Sequence, residues 1–238
     1  MKKRLFFLLL LILLSIIYYY HPITCNTKES SEEFEKRVLE TNDILTIKGD
    51  YLALGIRYAS DGRLDDALAL LKKFIDQYPN DPEINQFITH YNKFYLKKPN
   101  AIIPGFEAKT IDGLATINLN EYKGSVVVLD FWASWCIPCK EEFINLKRLY
   151  KRYHENGLVV IGICYDNMDT KKNAEEILAK LQIPWPNVFD GMGDNSPLTI
   201  KYGITQLPYN YLVDRTGKIR GVKLRGKTLE KEIAPLFQ

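Results

Sequence analysis

Ten residues, Phe131-Trp132-Ala133-Ser134-Trp135-Cys136-Ile137-Pro138-Cys139-Lys140, set the terms for the rest of the chain. A β-branched apolar run, Val126 to Leu129, leads into them, and an amphipathic helical pattern, Glu141 to Tyr153, leads out. The pair Cys136 and Cys139 therefore falls where a strand turns into a helix. A helix start offers unpaired backbone N–H groups and a partial positive charge, and both favour a thiolate over a thiol. The spacing of three places both sulfurs on one side of the first turn, within bridging reach. The chemistry implied is thiol–disulfide exchange. Half of a zinc site is the other use of such a pair, but no second Cys/His pair exists, because His21, His90 and His154 are scattered. No metal and no cofactor is expected. Cys164 lies within an apolar run and reads as a small buried hydrophobe.

The bulk numbers exclude several classes. With 238 residues, 46% of them hydrophobic, the chain can build one good core and a smaller companion. Its formal charge of +3 comes from Lys2, Lys3 and Arg4, and removing them leaves 32 − 3 = 29 basic residues against 29 acidic ones. A neutral body gives no reason to expect nucleic acid as a partner. Four cysteines, Cys25, Cys136, Cys139 and Cys164, are too few for a disulfide-stapled scaffold.

The basic cluster at Lys2–Arg4 precedes an uncharged stretch, Leu5 to Tyr20. Such a pattern holds the basic flank in the cytoplasm and sends the remainder across a membrane. Three fates are open: a retained anchor, supported by the interfacial aromatics Tyr18, Tyr19 and Tyr20; lipidation at Cys25; or simple cleavage. In every case the mature protein is expected in the cell envelope, outside the cytoplasm.

From Glu32 to Leu96 apolar residues recur at helical spacing, and no proline interrupts before Pro79. Phe34, Val38, Leu39 and Leu45 suggest a first helix. Tyr51 to Tyr58, Leu64 to Tyr78 and Ile84 to Leu96 suggest three more. Tyr51, Leu54-Gly55, Tyr58, Ala67, Leu71 and Pro79 resemble one tetratricopeptide (TPR) repeat, with Phe74 departing from it. An ordinary helical hairpin is the alternative. Either way the segment carries no catalytic constellation, and docking or support is its expected role.

Beyond the linker Lys97–Asn100, short strands are expected at Phe106–Thr110 and Thr116–Leu119, around an Asp112-Gly113 turn. Val126–Phe131 and Leu158–Tyr165 read as buried strands and Thr170–Leu181 as a helix. Val188–Phe189 is a short strand and Ser196–Tyr202 a short helix. Tyr209–Val213 and Lys218–Leu224 form a hairpin around Asp214-Arg215-Thr216-Gly217, before a last helix at Leu229–Leu236. Alternating strands and helices with a terminal hairpin give a mixed sheet covered on both faces.

The string FWASWCIPCKEE, with Pro104-Gly105-Phe106, Tyr202-Gly203-Ile204, Leu207-Pro208 and Leu212-Val213-Asp214, resembles the thioredoxin superfamily, and within it the extracytoplasmic TlpA/ResA-like branch. The expected fold class is α/β: a thioredoxin-like mixed sheet at 99–238, preceded by an all-α, TPR-like domain at 26–98 and a signal or membrane anchor at 1–25. Two departures stand out: Tyr209 follows Pro208 where threonine is usual, and Ile144 replaces a proline common in the active-site helix.

With the N-terminal pattern this gives a membrane-tethered oxidoreductase that reduces disulfides of envelope proteins; the resemblance implies apocytochrome c among them and recharging by a membrane thiol reductant. Cys136, expected nearer the surface, is the nucleophile, and Cys139 resolves the mixed disulfide. Asp130, six residues before Cys136 in an apolar strand, is the candidate proton acceptor for Cys139, or else an acid at a strand end in contact with water. Pro208 is expected to be cis, and Leu207 to hydrogen-bond an extended substrate. Trp135, Ile137 and Pro138 complete the substrate surface. Because Ile137-Pro138 brings no cation to the Cys136 thiolate, a moderately reducing site is expected. The alternatives are a general disulfide oxidant or isomerase, and a TPR-like adaptor that uses the thioredoxin fold for binding.

Overall fold

The computed structural model describes residues 30–238 apart from 42, 46 and 99, and of 194 the backbone alone. The expected anchor and Cys25 lie outside the described residues. Among those described, no helix is long and apolar enough to cross a membrane.

Helices α1 (Ser31–Glu40), α2 (Lys48–Ser60), α3 (Leu64–Gln77) and α4 (Ile84–Tyr95) come first. A reciprocal cap opens α1: Ser30 Oγ accepts the Glu33 N–H at 3.2 Å, and the Glu33 carboxylate accepts the Ser30 N–H at 2.7 Å. The helix ends at Glu40 because Thr41 is extended. Leu45 therefore falls outside it, and of the apolar residues expected on its inner face Val38 is buried while Leu39 is exposed. In α2 the buried residues are Tyr51, Leu54, Gly55 and Tyr58, those singled out by spacing.

Two compact units divide at Leu70/Leu71, inside α3. In the first, Tyr58 donates its hydroxyl hydrogen to Glu35 at 2.6 Å, and the Arg63 guanidinium lies 3.9 Å over the Tyr58 ring. Helix α4 lies wholly in the second unit. Its Asn92 Nδ2 donates to the Ile200 carbonyl at 3.1 Å, and Leu96, just beyond it, is buried in the core under the sheet.

In the second unit β1 (Glu107–Lys109) and β2 (Thr116–Asn118) make a small antiparallel pair. There follow β3 (Val126–Trp132), α5 (Ile137–Tyr153), β4 (Leu158–Cys164), α6 (Lys171–Leu181), β5 (Asn187–Phe189), α7 (Pro197–Lys201), β6 (Tyr209–Val213), β7 (Ile219–Val222) and α8 (Gly226–Ile233). The sheet order is β5-β4-β3-β6-β7. Strand β3 runs parallel to β4, from Val126 opposite Leu158 to Trp132 opposite Cys164, and antiparallel to β6. Gly157 (φ 97°) makes the left-handed turn into β4, a conformation glycine takes at little cost.

Every residue of β3 is buried, as its apolar run predicts for a central strand. Strand alternation sorts its side chains between two cores. Val126, Val128 and Trp132 meet Phe143, Leu146 and Leu149 of α5 and Leu229 and Ile233 of α8. Val127, Leu129 and Phe131 meet Tyr202, Tyr209 and Tyr211 on the other face. By this alternation Asp130 belongs to the face that carries α5. Helix α5 is one unbroken element through Ile144, where the family's proline would stand.

Candidate functional site

Strand β3 ends at Trp132, and the chain crosses Ala133–Trp135 before α5 begins. Cys136 is the N-cap of that helix: its backbone is extended (φ −81°, ψ 96°), and its Sγ accepts the Cys139 N–H at 3.3 Å. One of the orphan N–H groups at the helix start is thus aimed at the Cys136 sulfur. Pro138, in the first turn, has no N–H to leave unsatisfied. Cys136 and Cys139 are joined as a disulfide with Cα atoms 5.3 Å apart. Cys136 was expected nearer the surface, yet in this oxidised form the two differ little, at 4% and 2% exposed. The exposed ground belongs to their neighbours: Trp135 is 60% and Ile137 64% exposed. Trp135 also meets the Tyr165 ring edge-on, with centroids 6.4 Å apart.

The Leu207–Pro208 peptide is cis, as expected. Leu207 packs against the apolar cluster that contains both cysteines, and Tyr209, opposite Phe131, starts β6. This places the Leu207–Pro208 segment beside the end of β3 from which the cysteine loop departs.

Asp130 is buried and its Oδ2 finds no hydrogen-bond partner among the described residues. Burial first, and then the negative charge of Glu142, push its carboxyl up to about 7, with Arg225 pulling the other way. A strand-end acid in contact with water would show none of this. Glu142 was missed in the sequence, although a position three residues beyond Cys139 on a helix is the visible signal. Its carboxylate accepts the Gly226 N–H at 3.1 and 3.2 Å and the Asn145 amide at 2.7 Å. Asn210, opposite Asp130 in β6, spends both ends of its amide on the Leu224 backbone, so it is not the missing partner.

A second buried acid, Asp166, was also missed. It accepts the Ser134 N–H at 2.7 Å and the Ser134 hydroxyl at 2.5 Å, while Lys140 Nζ donates to the Ser134 carbonyl at 2.8 Å. Ser134 is thereby held at three atoms, and the loop that delivers Cys136 is fixed. Cys164 is buried as expected. Burial raises its pKa, and its thiol donates to Asp166 at 3.4 Å. Among the described residues no cluster of His, Cys, Asp or Glu is suited to a metal ion.

Below the site, Trp132 Nε1 donates to Asn187 Oδ1 at 2.8 Å, and Gly162 lies between them. A Cβ on Gly162 would overlap the Asn187 amide oxygen and sit 3.1 Å from Trp132 Nε1. Gly162→Ala should therefore displace Asn187 and strand a buried indole N–H, costing about 2–3 kcal/mol. Chemical denaturation checks this, and a loss below about 0.5 kcal/mol would count against it.

Comparison with known proteins agrees with this geometry. The AhpC/TSA family model matches residues 99–222. The chain is 30% identical over 135 residues to a thiol-disulfide oxidoreductase ResA of Bacillus thuringiensis subsp. konkukian, covering 56% of this chain and 72% of that one. It is 28% identical over 148 residues to a ResA of Geobacillus thermodenitrificans, covering 60% and 80%. Among solved structures, a thiol-disulfide oxidoreductase from Bacteroides fragilis superposes with a TM-score of 0.52 at 30% identity, over 57% of this chain and 99% of that one.

Proposed function

The chain belongs to the AhpC/TSA family and is a thiol–disulfide oxidoreductase of the ResA kind, and we propose that it works as a reductant of protein disulfides through Cys136 and Cys139. The observation that carries the assignment of roles is the Cys136 sulfur at the helix N-cap, accepting the Cys139 N–H. That contact favours the charged sulfur, so Cys136 is the attacking thiolate. It displaces one sulfur of the substrate disulfide, forming a mixed disulfide and releasing the substrate's first thiolate. Cys139 then gives up its proton and attacks the Cys136 sulfur. The enzyme disulfide forms and the second substrate thiolate leaves, so two electrons have passed to the substrate. Asp130, buried, unpartnered at Oδ2 and titrating near neutrality, takes the Cys139 proton. The substrate strand lies along Leu207–Pro208, against Trp135, Ile137 and Pro138.

The substrates we propose are disulfide-containing proteins of the cell envelope, apocytochrome c among them, with a membrane thiol reductant restoring the dithiol. The basic flank and apolar stretch at residues 2–20 support that location, and the helical segment before the redox domain serves docking or support. Equilibration with glutathione tests the direction. A reductant should have a potential below about −200 mV, whereas a value near about −120 mV would make the chain an oxidant.

A further inference from the structure

Lysines from two distant parts of the chain meet at the substrate segment. Lys93 stands in the last turn of α4 and Lys97 just past its end, while Lys223 follows β7. Helix α4 is pressed onto the loop before the cis proline, because a Cβ on Gly203 would land on the Lys93 backbone. From there Lys93 Nζ donates to Thr205 Oγ1 at 2.8 Å. At the other end of the segment Lys223 Nζ lies 5.2 Å from the centre of the Tyr209 ring. Lys223 reaches it from a left-handed backbone (φ 54°), which residues other than glycine seldom adopt. Between these two contacts run Thr205 and Gln206, both exposed, and then Leu207 and Pro208.

The charges are uncompensated. Burial lowers the pKa values of Lys93 and Lys97. The other positive charges lower them further, Lys97 and Lys223 acting on Lys93, and Lys223 acting on Lys97. No carboxylate among the described residues forms a salt bridge with any of the three. A patch of one sign beside a binding segment attracts the opposite sign and rejects its own.

We propose that Lys93, Lys97 and Lys223 form a docking site for acidic residues in the polypeptide segment that a substrate lays along Thr205–Pro208. The inference rests on the oxidoreductase reading and adds a substrate class: disulfides whose flanking sequence carries Asp or Glu. The site selects by charge, and the cysteines act on whatever disulfide is held there.

Two synthetic peptides test it, each with one internal disulfide, flanked in one by Asp-Glu and in the other by the isosteric Asn-Gln. The pre-reduced full chain should reduce the acidic peptide about tenfold faster at low ionic strength, the scale expected of two or three partly exposed ion pairs. That ratio should fall towards one when salt is raised to about 0.5 M. It should fall likewise in the triple variant Lys93→Gln, Lys97→Gln, Lys223→Gln. Equal rates for the two peptides, or a ratio unmoved by the triple substitution, would overturn the docking site alone. Failure to reduce either peptide would overturn the oxidoreductase reading beneath it.

Discussion

Cys139→Ser should turn the enzyme into a trap that accumulates a mixed disulfide with its substrate through Cys136. The first attack needs the Cys136 sulfur, the N–H donor at position 139 and the exposed surface around Trp135 and Ile137. Serine at 139 keeps the backbone donor. The second attack needs a thiolate at 139, which serine does not supply. Turnover should fall by at least about three orders of magnitude while the adduct forms at close to the parent rate. Cys136→Ser should lose both the adduct and turnover. Non-reducing electrophoresis with mass spectrometry of the cross-linked peptide reads both outcomes. If the adduct formed through Cys139 in Cys136→Ser, and not through Cys136 in Cys139→Ser, the two cysteines would exchange roles. Recovery of the trapped partner from cell-envelope extract would also identify the substrate.

What the sequence made legible is what depends on local pattern. The β-branched run before Phe131 and the helical spacing after Lys140 locate β3 and α5 because each is a property of a few consecutive residues. Pro208 was legible for a different reason, its place in a family string. The partners of the cysteine loop were not. Asp166 reaches Ser134 because β3 and β4 pair with Trp132 opposite Cys164, which brings the residues two beyond each strand together. Periodicity along one segment says nothing about such register. The same holds for α4, whose apolar spacing identified a helix but not its attachment to α7 through Asn92. Nor does spacing along either segment show that Lys93 of this helix and Lys223 approach the same loop.

These long-range pairings also order the site by rigidity. The loop before Cys136 is held by Asp166 and Lys140 through Ser134, and Trp132 beneath it is held by Asn187. Around them Trp135 and Ile137 stay exposed, as do Thr205 and Gln206 before the cis proline, with Lys97 and Lys223. A fixed nucleophile beside an apolar surface leaves the choice among disulfides to the charges near the cis proline.

Asp130→Asn should separate the two chemical steps and change stability in opposite proportion to its use. In the parent, resolution of the mixed disulfide should rise with pH through about 7, as Asp130 ionises and becomes able to take the Cys139 proton. The asparagine variant should lose that inflection and resolve at least about tenfold more slowly above it, with the first attack changed less than about twofold. Equal slowing of both steps would remove Asp130 from the proton path. Stability gives an independent reading. A carboxyl whose folded pKa of about 7 exceeds its ordinary 3.8 binds its proton more tightly when folded. It therefore adds stability that is full below about pH 4 and is lost as pH rises through about 7. Asparagine cannot ionise, so the variant should match the parent near pH 4 and exceed it at pH 8, by at most ~4 kcal/mol for a shift of ~3 pH units. Denaturation at the two pH values measures the difference. A variant less stable at pH 8 would mean that the ionised Asp130 has partners that offset its burial, and the drive to accept a proton would go with them.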